Sequence, residues 1–193
     1  MKPYRVHLTV GKRVLQYLKA TADVKLVFPS TTSKEAPPLV GYTDSDFTGD
    51  RADRKSQGGH IIKVYRASIS WLSRKQGLVA FSTSGAEYIT GSDATREAEW
   101  LVRLHKDVTG ETIVPAIYCD SNGVLKTIYS GVSSPETKHI VIRYHISRDR
   151  QERGIVYFTD ISTNDNLADI MTKALGPEKH QRFATGIGLR STN

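Results

Sequence analysis

The stretch Leu39-Val40-Gly41-Tyr42-Thr43-Asp44-Ser45-Asp46-Phe47 predicts a buried strand that runs into two closely spaced carboxylates. Aspartate is depleted in strands, so an acidic strand end indicates either a turn or a functional site. Three further acids stand at comparable places, namely Glu87 at the start of a predicted helix, Asp120 at the end of a second strand, and Asp169 at the start of the last predicted helix. A sheet and two helices could bring all four acids to one point.

Converging carboxylates repel one another unless cations lie between them. The sequence indicates no basic partner for these four acids, and we therefore expect metal cations among them. Asp46 is an alternative to Asp44, because a register shift of two residues keeps a side chain on the same side of a strand. We favour Asp44.

The composition is that of an ordinary globular chain with a basic excess. It has 193 residues, of which 38% are hydrophobic and 24% charged, with a formal net charge of +7. Excess positive charge favours polyanionic partners, nucleic acid first, although it can also serve solubility alone. The single cysteine, Cys119, excludes an intramolecular disulfide and a thiolate zinc site, and its apolar surroundings predict a buried core thiol. We find no membrane span and no secretory signal.

The apolar patterns predict an α/β fold. Two short elements precede a Pro/Ser/Thr-rich linker, and the main unit then follows as three antiparallel strands, a helix, a strand, two helices, a strand and a helix. This order predicts a mixed five-stranded sheet with helices packed on it. The predicted helices span 5–19, 85–107, 123–129, 138–152 and 167–175, and the predicted strands span 24–28, 39–47, 60–65, 68–73, 115–120 and 154–159. Gly176-Pro177 is expected to stop the last helix, and the tail to 193 carries little structural signal. Trp71 and Trp100 are expected to be core or sheet-packing residues.

Several local motifs occur in one order along the chain. They are Gly41-Tyr42-Thr43-Asp44-Ser45-Asp46-Phe47-Thr48-Gly49-Asp50, Ile69-Ser70-Trp71, Ala86-Glu87-Tyr88, Ile117-Tyr118-Cys119-Asp120, Thr137-Lys138-His139-Ile140, and Asn166-Leu167-Ala168-Asp169-Ile170-Met171-Thr172-Lys173. Together they resemble the ribonuclease H (RNase H) domain that ends the polyprotein of copia-type LTR retrotransposons. Residues 12–19 are similar to the end of the preceding reverse transcriptase. The resemblance implies a reverse-transcriptase end and linker at 1–38, an RNase H-like domain at 39–176 and a tail at 177–193.

The resemblance also implies an activity and a site. Asp44, Glu87, Asp120 and Asp169 match the catalytic carboxylates, which bind two Mg²⁺ ions, or Mn²⁺ in vitro. The reaction implied is hydrolysis of the RNA strand of RNA:DNA hybrids during reverse transcription. Asp44 is the ligand that both ions share, Glu87 and Asp120 hold the ion near the leaving oxygen, and Asp169 holds the ion that activates water.

Nucleic-acid contacts are expected around this site. Ser45 and Asn122 are candidates to bond the 2′-hydroxyl of the RNA strand. Basic residues are expected to track the phosphates, and these are Arg54, Lys55, Arg74, Lys75 and Arg143. The implied partners are the hybrid and the reverse transcriptase domain of the same polyprotein, with no membrane. The implied location is a cytoplasmic virus-like particle, with the nucleus as a second possibility and secretion excluded.

One departure from the family pattern and two alternatives stay open. Cellular relatives carry a histidine in the loop before the last helix; loop 160–166 has none, and we expect Asn164 or Asp165 to take part of that role. A catalytically weak or inactive binding module with this fold is the first alternative. An integrase-like nuclease that acts on DNA is the second, but such enzymes use three acids at other spacings.

Overall fold

The computed structural model describes residues 4–29, 37–50, 52–130 and 141–191, without the side chains of Ser130 and 141–145. Most of the predicted linker, the predicted loop 131–135 and the start of the helix predicted at 138 lie outside these residues. The helices are α1 (Arg5–Ala20), α2 (Thr83–Thr109), α3 (Asn122–Ser130), α4 (Val141–Glu152), α5 (Asp169–Thr172) and α6 (Pro177–Gly186). The strands are β1 (Lys25–Leu26), β2 (Leu39–Asp46), β3 (Gln57–Val64), β4 (Ala67–Lys75), β5 (Ala116–Cys119), β6 (Tyr157–Asp160) and β7 (Leu189–Arg190).

Five strands form the central sheet in the order β4-β3-β2-β5-β6. Strand β2 pairs antiparallel with β3, and β3 pairs antiparallel with β4 across the tight turn at Tyr65-Arg66. Strand β5 lies parallel to β2, and β6 lies parallel to β5, because helices connect these strands. The predicted α/β fold with a mixed five-stranded sheet is confirmed.

Helix α2 packs along the sheet and fixes one side of the site. Ser82 caps its N-terminus by accepting a hydrogen bond from the Gly85 backbone N–H at 3.0 Å, as the run of hydroxyl residues predicts. Small residues on its inner face, among them Ala94 and Ala98 at 0% exposure, let the helix approach the strands closely. The core between helix and sheet is completed by large apolar side chains such as Phe158.

The C-terminal part differs from the prediction. Helix α5 covers only Asp169–Thr172, and Lys173 is already extended, with φ −123° and ψ 149°. Gly176-Pro177 begins helix α6 rather than ending the previous one, since proline is tolerated in the first helical turn, where its missing N–H costs nothing. Strand β7 follows α6 and pairs antiparallel with β1. The residues after Gly176 therefore have regular structure that the sequence analysis did not predict.

Two other regions place apolar residues in contact with solvent. Helix α1 forms at the predicted position, yet none of its residues is buried. Trp71 and Trp100 are 55% and 51% exposed, so neither is a core residue, which was one of the two roles expected for them beside sheet packing. Trp71 lies on the edge strand β4 and lines an apolar cavity of about 260 Å³ together with Met171 and Leu189. In the part of the chain that the structure describes, no helix combines the length and the apolar character needed to cross a bilayer.

Candidate active site

Three aspartates meet at the carboxyl ends of two neighbouring parallel strands. Asp44 is near the end of β2, and Asp120 follows β5, which pairs with β2 in a register that places Thr43 opposite Cys119. Asp169 begins α5, which packs against β2 and β3. One carboxylate oxygen from each of the three lies within 4.8 Å of the others. The structure thus brings Asp44 to this cluster, whereas Asp46 is not among its members.

Glu87 lies beside the aspartates on the inner face of α2 and is buried. Its Oε1 accepts a hydrogen bond from the Ser45 backbone N–H at 3.0 Å. Its Oε2 is buried and has no hydrogen-bond partner within the described residues. Burial, followed by the negative charges of Asp44 and Asp120, raises the pKa of Glu87 well above its usual range.

Two lysines contact the cluster, and this overturns the expectation that it has no basic partner. Lys173 Nζ donates to Asp44 Oδ1 at 2.9 Å and to Asp169 Oδ1 at 2.9 Å. Lys179 Nζ, on α6, donates to Asp169 Oδ2 at 2.6 Å. The spacing of four residues between Asp169 and Lys173 was a signal in the sequence for the first contact. The second could not be predicted, because the tail that contains Lys179 carries little structural signal in the sequence.

The electrostatics of Asp44 combine opposing effects. Burial raises the pKa of its carboxyl, while hydrogen bonds from Thr172 and Lys173 lower it, and the net pKa is raised. For Lys173 burial lowers the pKa of the ammonium, but its hydrogen bonds to Asp44 and Asp169 outweigh burial, and its net pKa is raised above the ordinary value. Both effects follow from charges of opposite sign placed together in a poorly solvated site.

The loop before α5 holds Asp120 from two sides. Asn166 is fully buried, and its Nδ2 donates to Thr43 O at 2.8 Å and to Asp120 Oδ1 at 3.3 Å. Thr163 Oγ1 donates to Asp120 Oδ2 at 2.8 Å. The loop residues that touch the acidic cluster through their side chains are therefore Thr163 and Asn166, which flank the expected Asn164 and Asp165. In the sequence, Asn166 was only the first residue of the motif that contains Asp169.

The two residues expected to bond the 2′-hydroxyl of the RNA strand lie in different environments. Ser45 is buried, and its Oγ lies 3.4 Å from Gln76 Nε2. Gln76 also donates to the Ala86 carbonyl at 2.8 Å, so it ties β4 to α2 behind the site. Asn122 is exposed at the first residue of α3.

The basic residues expected to contact phosphate are partly engaged with acids. Arg74 forms an ion pair with Asp93 at 3.3 Å. Lys75 contacts Asp50 at 2.7 Å and Asp53 at 3.0 Å. The basic members, Arg74 and Lys75, are 62% and 45% exposed, and ion pairs of exposed side chains contribute little stability, so a phosphate could displace the acids at small cost.

The remaining basic candidates lie in two other segments. Arg54 and Lys55 are in the loop between β2 and β3, where Arg54 is exposed and adopts a positive φ of 57°. The Arg143 side chain, together with Arg51, Lys138 and His139, lies outside the described residues.

The carboxylate cluster has the chemistry of a divalent-metal site. Its ligand atoms are carboxylate oxygens, which suit hard cations such as Mg²⁺. The buried Oε2 of Glu87 is a further oxygen available for a ligand bond. The donor set therefore fits the metal that the fold family implies.

Comparison with known proteins identifies relatives of this chain. The chain is 33% identical over 189 residues, or 98% of its length, to the retrovirus-related Pol polyprotein from transposon TNT 1-94 of Nicotiana tabacum. It is 35% identical over 188 residues, or 97% of its length, to the corresponding polyprotein from transposon RE1 of Arabidopsis thaliana. Pol polyproteins of copia-type retrotransposons are thus homologues of this chain, which corresponds to a segment of them. It spans 14% and 13% of the lengths of these two Pol polyproteins.

The fold of this Pol segment is that of RNase H. The solved structure of LC11-RNase H1, isolated from compost by a metagenomic approach, covers 71% of this chain and 94% of its own, with a TM-score of 0.55 and 17% identity. No protein-family model matches the chain. The sequence comparison therefore identifies the homologues, and the structure comparison identifies the fold.

Proposed function

We propose that this Pol segment is a metal-dependent ribonuclease H that hydrolyses the RNA strand of RNA:DNA hybrids during retrotransposon reverse transcription. One observation carries the proposal, which is the convergence of oxygens from Asp44, Asp120 and Asp169 within 4.8 Å at the ends of two parallel strands. The RNase H fold of the chain and its Pol relatives support the same activity.

Asp44, Glu87, Asp120 and Asp169 would hold two divalent ions, Mg²⁺ or Mn²⁺. When bound, such ions activate water and stabilise the charge that develops on the leaving oxygen. The roles of the chain's own residues follow from their positions. Asp44 is central, since its charge interacts both with that of Asp169 and with that of Glu87. The Ser45 backbone N–H fixes the orientation of the Glu87 carboxylate, and Thr163 and Asn166 fix that of Asp120.

Substrate binding would depend on the basic loops around the sheet. Arg54, Lys55, Arg74 and Lys75 stand on or beside the β2–β4 strands, where phosphates of the hybrid could reach them. A phosphate contact of Arg143, which belongs to α4, stays a prediction. Asn122 is the exposed candidate for a bond to the 2′-hydroxyl. We also propose the reverse transcriptase domain of the same polyprotein as a partner, and a cytoplasmic particle as the location.

A gel assay tests the proposal. A hybrid with a labelled RNA strand is incubated with the chain in Mg²⁺, in Mn²⁺ or in chelator. The Asp120→Asn variant is compared with Asp107→Asn, because Asp107 is an exposed acid near the end of α2 and outside the cluster. Metal-dependent cuts in RNA that Asp120→Asn abolishes and Asp107→Asn leaves intact would support the proposal.

A second candidate function is a hybrid-binding module with weak or no turnover. The ammonium groups of Lys173 and Lys179 at the acidic cluster favour it, because they already neutralise part of the charge that would attract metal. Hybrid binding without cleavage at any metal concentration would select this alternative. Cleavage of duplex DNA in place of the hybrid would overturn both.

A further inference from the structure

The Lys173 ammonium occupies the position of a cation between two buried carboxylates. It lies 2.9 Å from Asp44 Oδ1 and 2.9 Å from Asp169 Oδ1, and both aspartate side chains are 1% exposed. Two buried like charges this close destabilise each other unless a cation lies between them. Lys173 therefore has the electrostatic role in this pair that a metal ion would have.

The lysine reaches the carboxylates from the solvent side. Its side chain is 34% exposed, and its backbone is extended directly after the single turn of α5. Lysine has a long flexible stem with a strongly hydrated head, so the ammonium can move out into water at modest cost. Lys179, 28% exposed, contacts the other oxygen of Asp169 from the same exterior.

The other half of the cluster is held by neutral groups. The hydrogen bonds to Asp120 come from Thr163 and Asn166. Glu87 accepts from a backbone N–H, and its Oε2 has no partner in the described parts of the chain. The cluster therefore has two unequal sides, one occupied by ammonium groups and one lined by carboxylates with neutral hydrogen-bond donors.

We propose that Lys173 is an internal counter-ion that competes with a divalent ion for the Asp44–Asp169 side of the cluster. This inference rests on the proposed function, because it takes the acidic cluster as the metal centre. An ion enters between Asp44 and Asp169 only when the ammonium withdraws, so this side loads more weakly than the side formed by Glu87 and Asp120. Lys173 is thus a positioning residue that sets the concentration of metal the site requires.

Thermal unfolding of the full chain tests the competition without measuring activity. Lys173→Gln is compared with the unchanged chain and with Lys106→Gln, an exposed lysine near the end of α2. In chelator, Lys173→Gln is expected to have a lower Tm than Lys106→Gln, because Asp44 and Asp169 lose their shared cation. In a Mn²⁺ titration, its Tm is expected to rise at about tenfold lower metal concentration, the effect of removing one charged hydrogen-bonded competitor.

The outcomes separate this inference from the proposed function. If Mn²⁺ stabilises Lys173→Gln and the unchanged chain at equal concentrations, or stabilises the variant only at higher ones, the competition is overturned and the metal centre stands. If Mn²⁺ changes the Tm of none of the proteins, the metal centre fails, and the proposed function and the inference are both overturned.

A measurement on the unchanged chain tests the inference even if the Lys173→Gln variant does not fold. The side-chain ammonium signal of Lys173, assigned through its backbone, is followed by ¹⁵N NMR during a Mg²⁺ titration together with the carboxyl ¹³C signals of the aspartates. The Lys173 signal is expected to move with those of Asp44 and Asp169. Carboxyl signals that move while Lys173 stays unchanged would overturn the inference and leave the metal centre intact.

Discussion

Asn166 Nδ2 donates to the backbone carbonyl of Thr43 at 2.8 Å, so the loop before α5 is bonded to the strand that carries Asp44. The same amide contacts Asp120, and its Oδ1 accepts from the Ala168 backbone N–H at 3.2 Å. One fully buried side chain therefore links three segments that each bring an aspartate to the site.

Replacing Asn166 by alanine should lower stability and disturb the cluster. The change leaves the Thr43 carbonyl and the Ala168 N–H without these bonds, and unsatisfied buried polar groups cost about 1–3 kcal/mol each. Urea unfolding should show a loss of about 2–4 kcal/mol. Asn164→Ala, at an exposed position of the same loop, is the control and should change stability by less than about 0.5 kcal/mol. Equal effects of the two changes would contradict the bridging role.

Replacing Glu87 by glutamine should stabilise the chain in chelator while removing its response to metal. The amide keeps an oxygen for the Ser45 N–H and removes a buried negative charge that Asp44 and Asp120 repel. We expect a gain of about 1–2 kcal/mol in the free energy of unfolding, measured in urea with chelator. Mn²⁺ should then stabilise Glu87→Gln less than it stabilises the unchanged chain. A loss of stability in chelator would mean that the carboxylate itself is needed for the fold.

His60 should make the stability depend on pH. Burial lowers the pKa of its imidazole below the ordinary 6.5; Glu97 and Asp93 oppose this shift, and Arg74 adds to it. Below pH 6.5 the unfolded chain binds a proton that the folded chain does not, so stability rises with pH through this window and falls as the pH drops below 6.5.

The measurement for His60 is the difference between the unchanged chain and His60→Gln in urea unfolding from pH 7.5 to 5. The unchanged chain should lose about 1 kcal/mol more than the variant over this range. Parallel pH profiles of the two proteins would show that His60 is not the group responsible.

Cys119 should be unreactive in the folded chain. Its side chain is 1% exposed, and burial raises the pKa of the thiol to about 12. A thiol reagent such as DTNB needs the thiolate, so at pH 8 it should react only after urea unfolds the protein. Rapid modification without denaturant would place the thiol at the surface, contrary to the structure.

The sequence was informative wherever a local pattern coincided with a complete element. The apolar pattern of 39–47 is typical of a strand, and the spacing and cap of the segment after Ser82 are typical of a helix. Both elements lie within a few residues of their predicted bounds. The acids at the ends of these elements were found for the same reason. Asp44 stands near the end of an apolar strand and Asp120 directly follows one, and an acid is uncommon in either position.

The contacts around the acids were harder to predict from the sequence, because they join segments that are distant along the chain and meet only in the folded structure. Lys179 is ten residues from Asp169 and contacts it from α6. That helix begins at Pro177, but the pair Gly176-Pro177 is equally typical of the end of a preceding helix. Asn166 reads as a cap in the sequence, and only the packing of the loop shows that it also bonds Thr43. Trp71 is not a core residue, because it lies on an edge strand, where one face of the sheet remains partly open.

The C-terminal segment has a consequence for where this Pol segment can be shortened. Strand β7 pairs with β1 close to the chain's beginning, and α6, which precedes β7, carries the lysine at Asp169. A protein cut after Gly176 would retain every strand of the central sheet, but it would lose the partner of β1 and the second ammonium of the acidic cluster. Recombinant fragments intended for metal titration should therefore extend at least to Arg190. Proteolytic cleavage near Pro177 would remove a positive charge from the acidic cluster while every one of its aspartates stays in the protein.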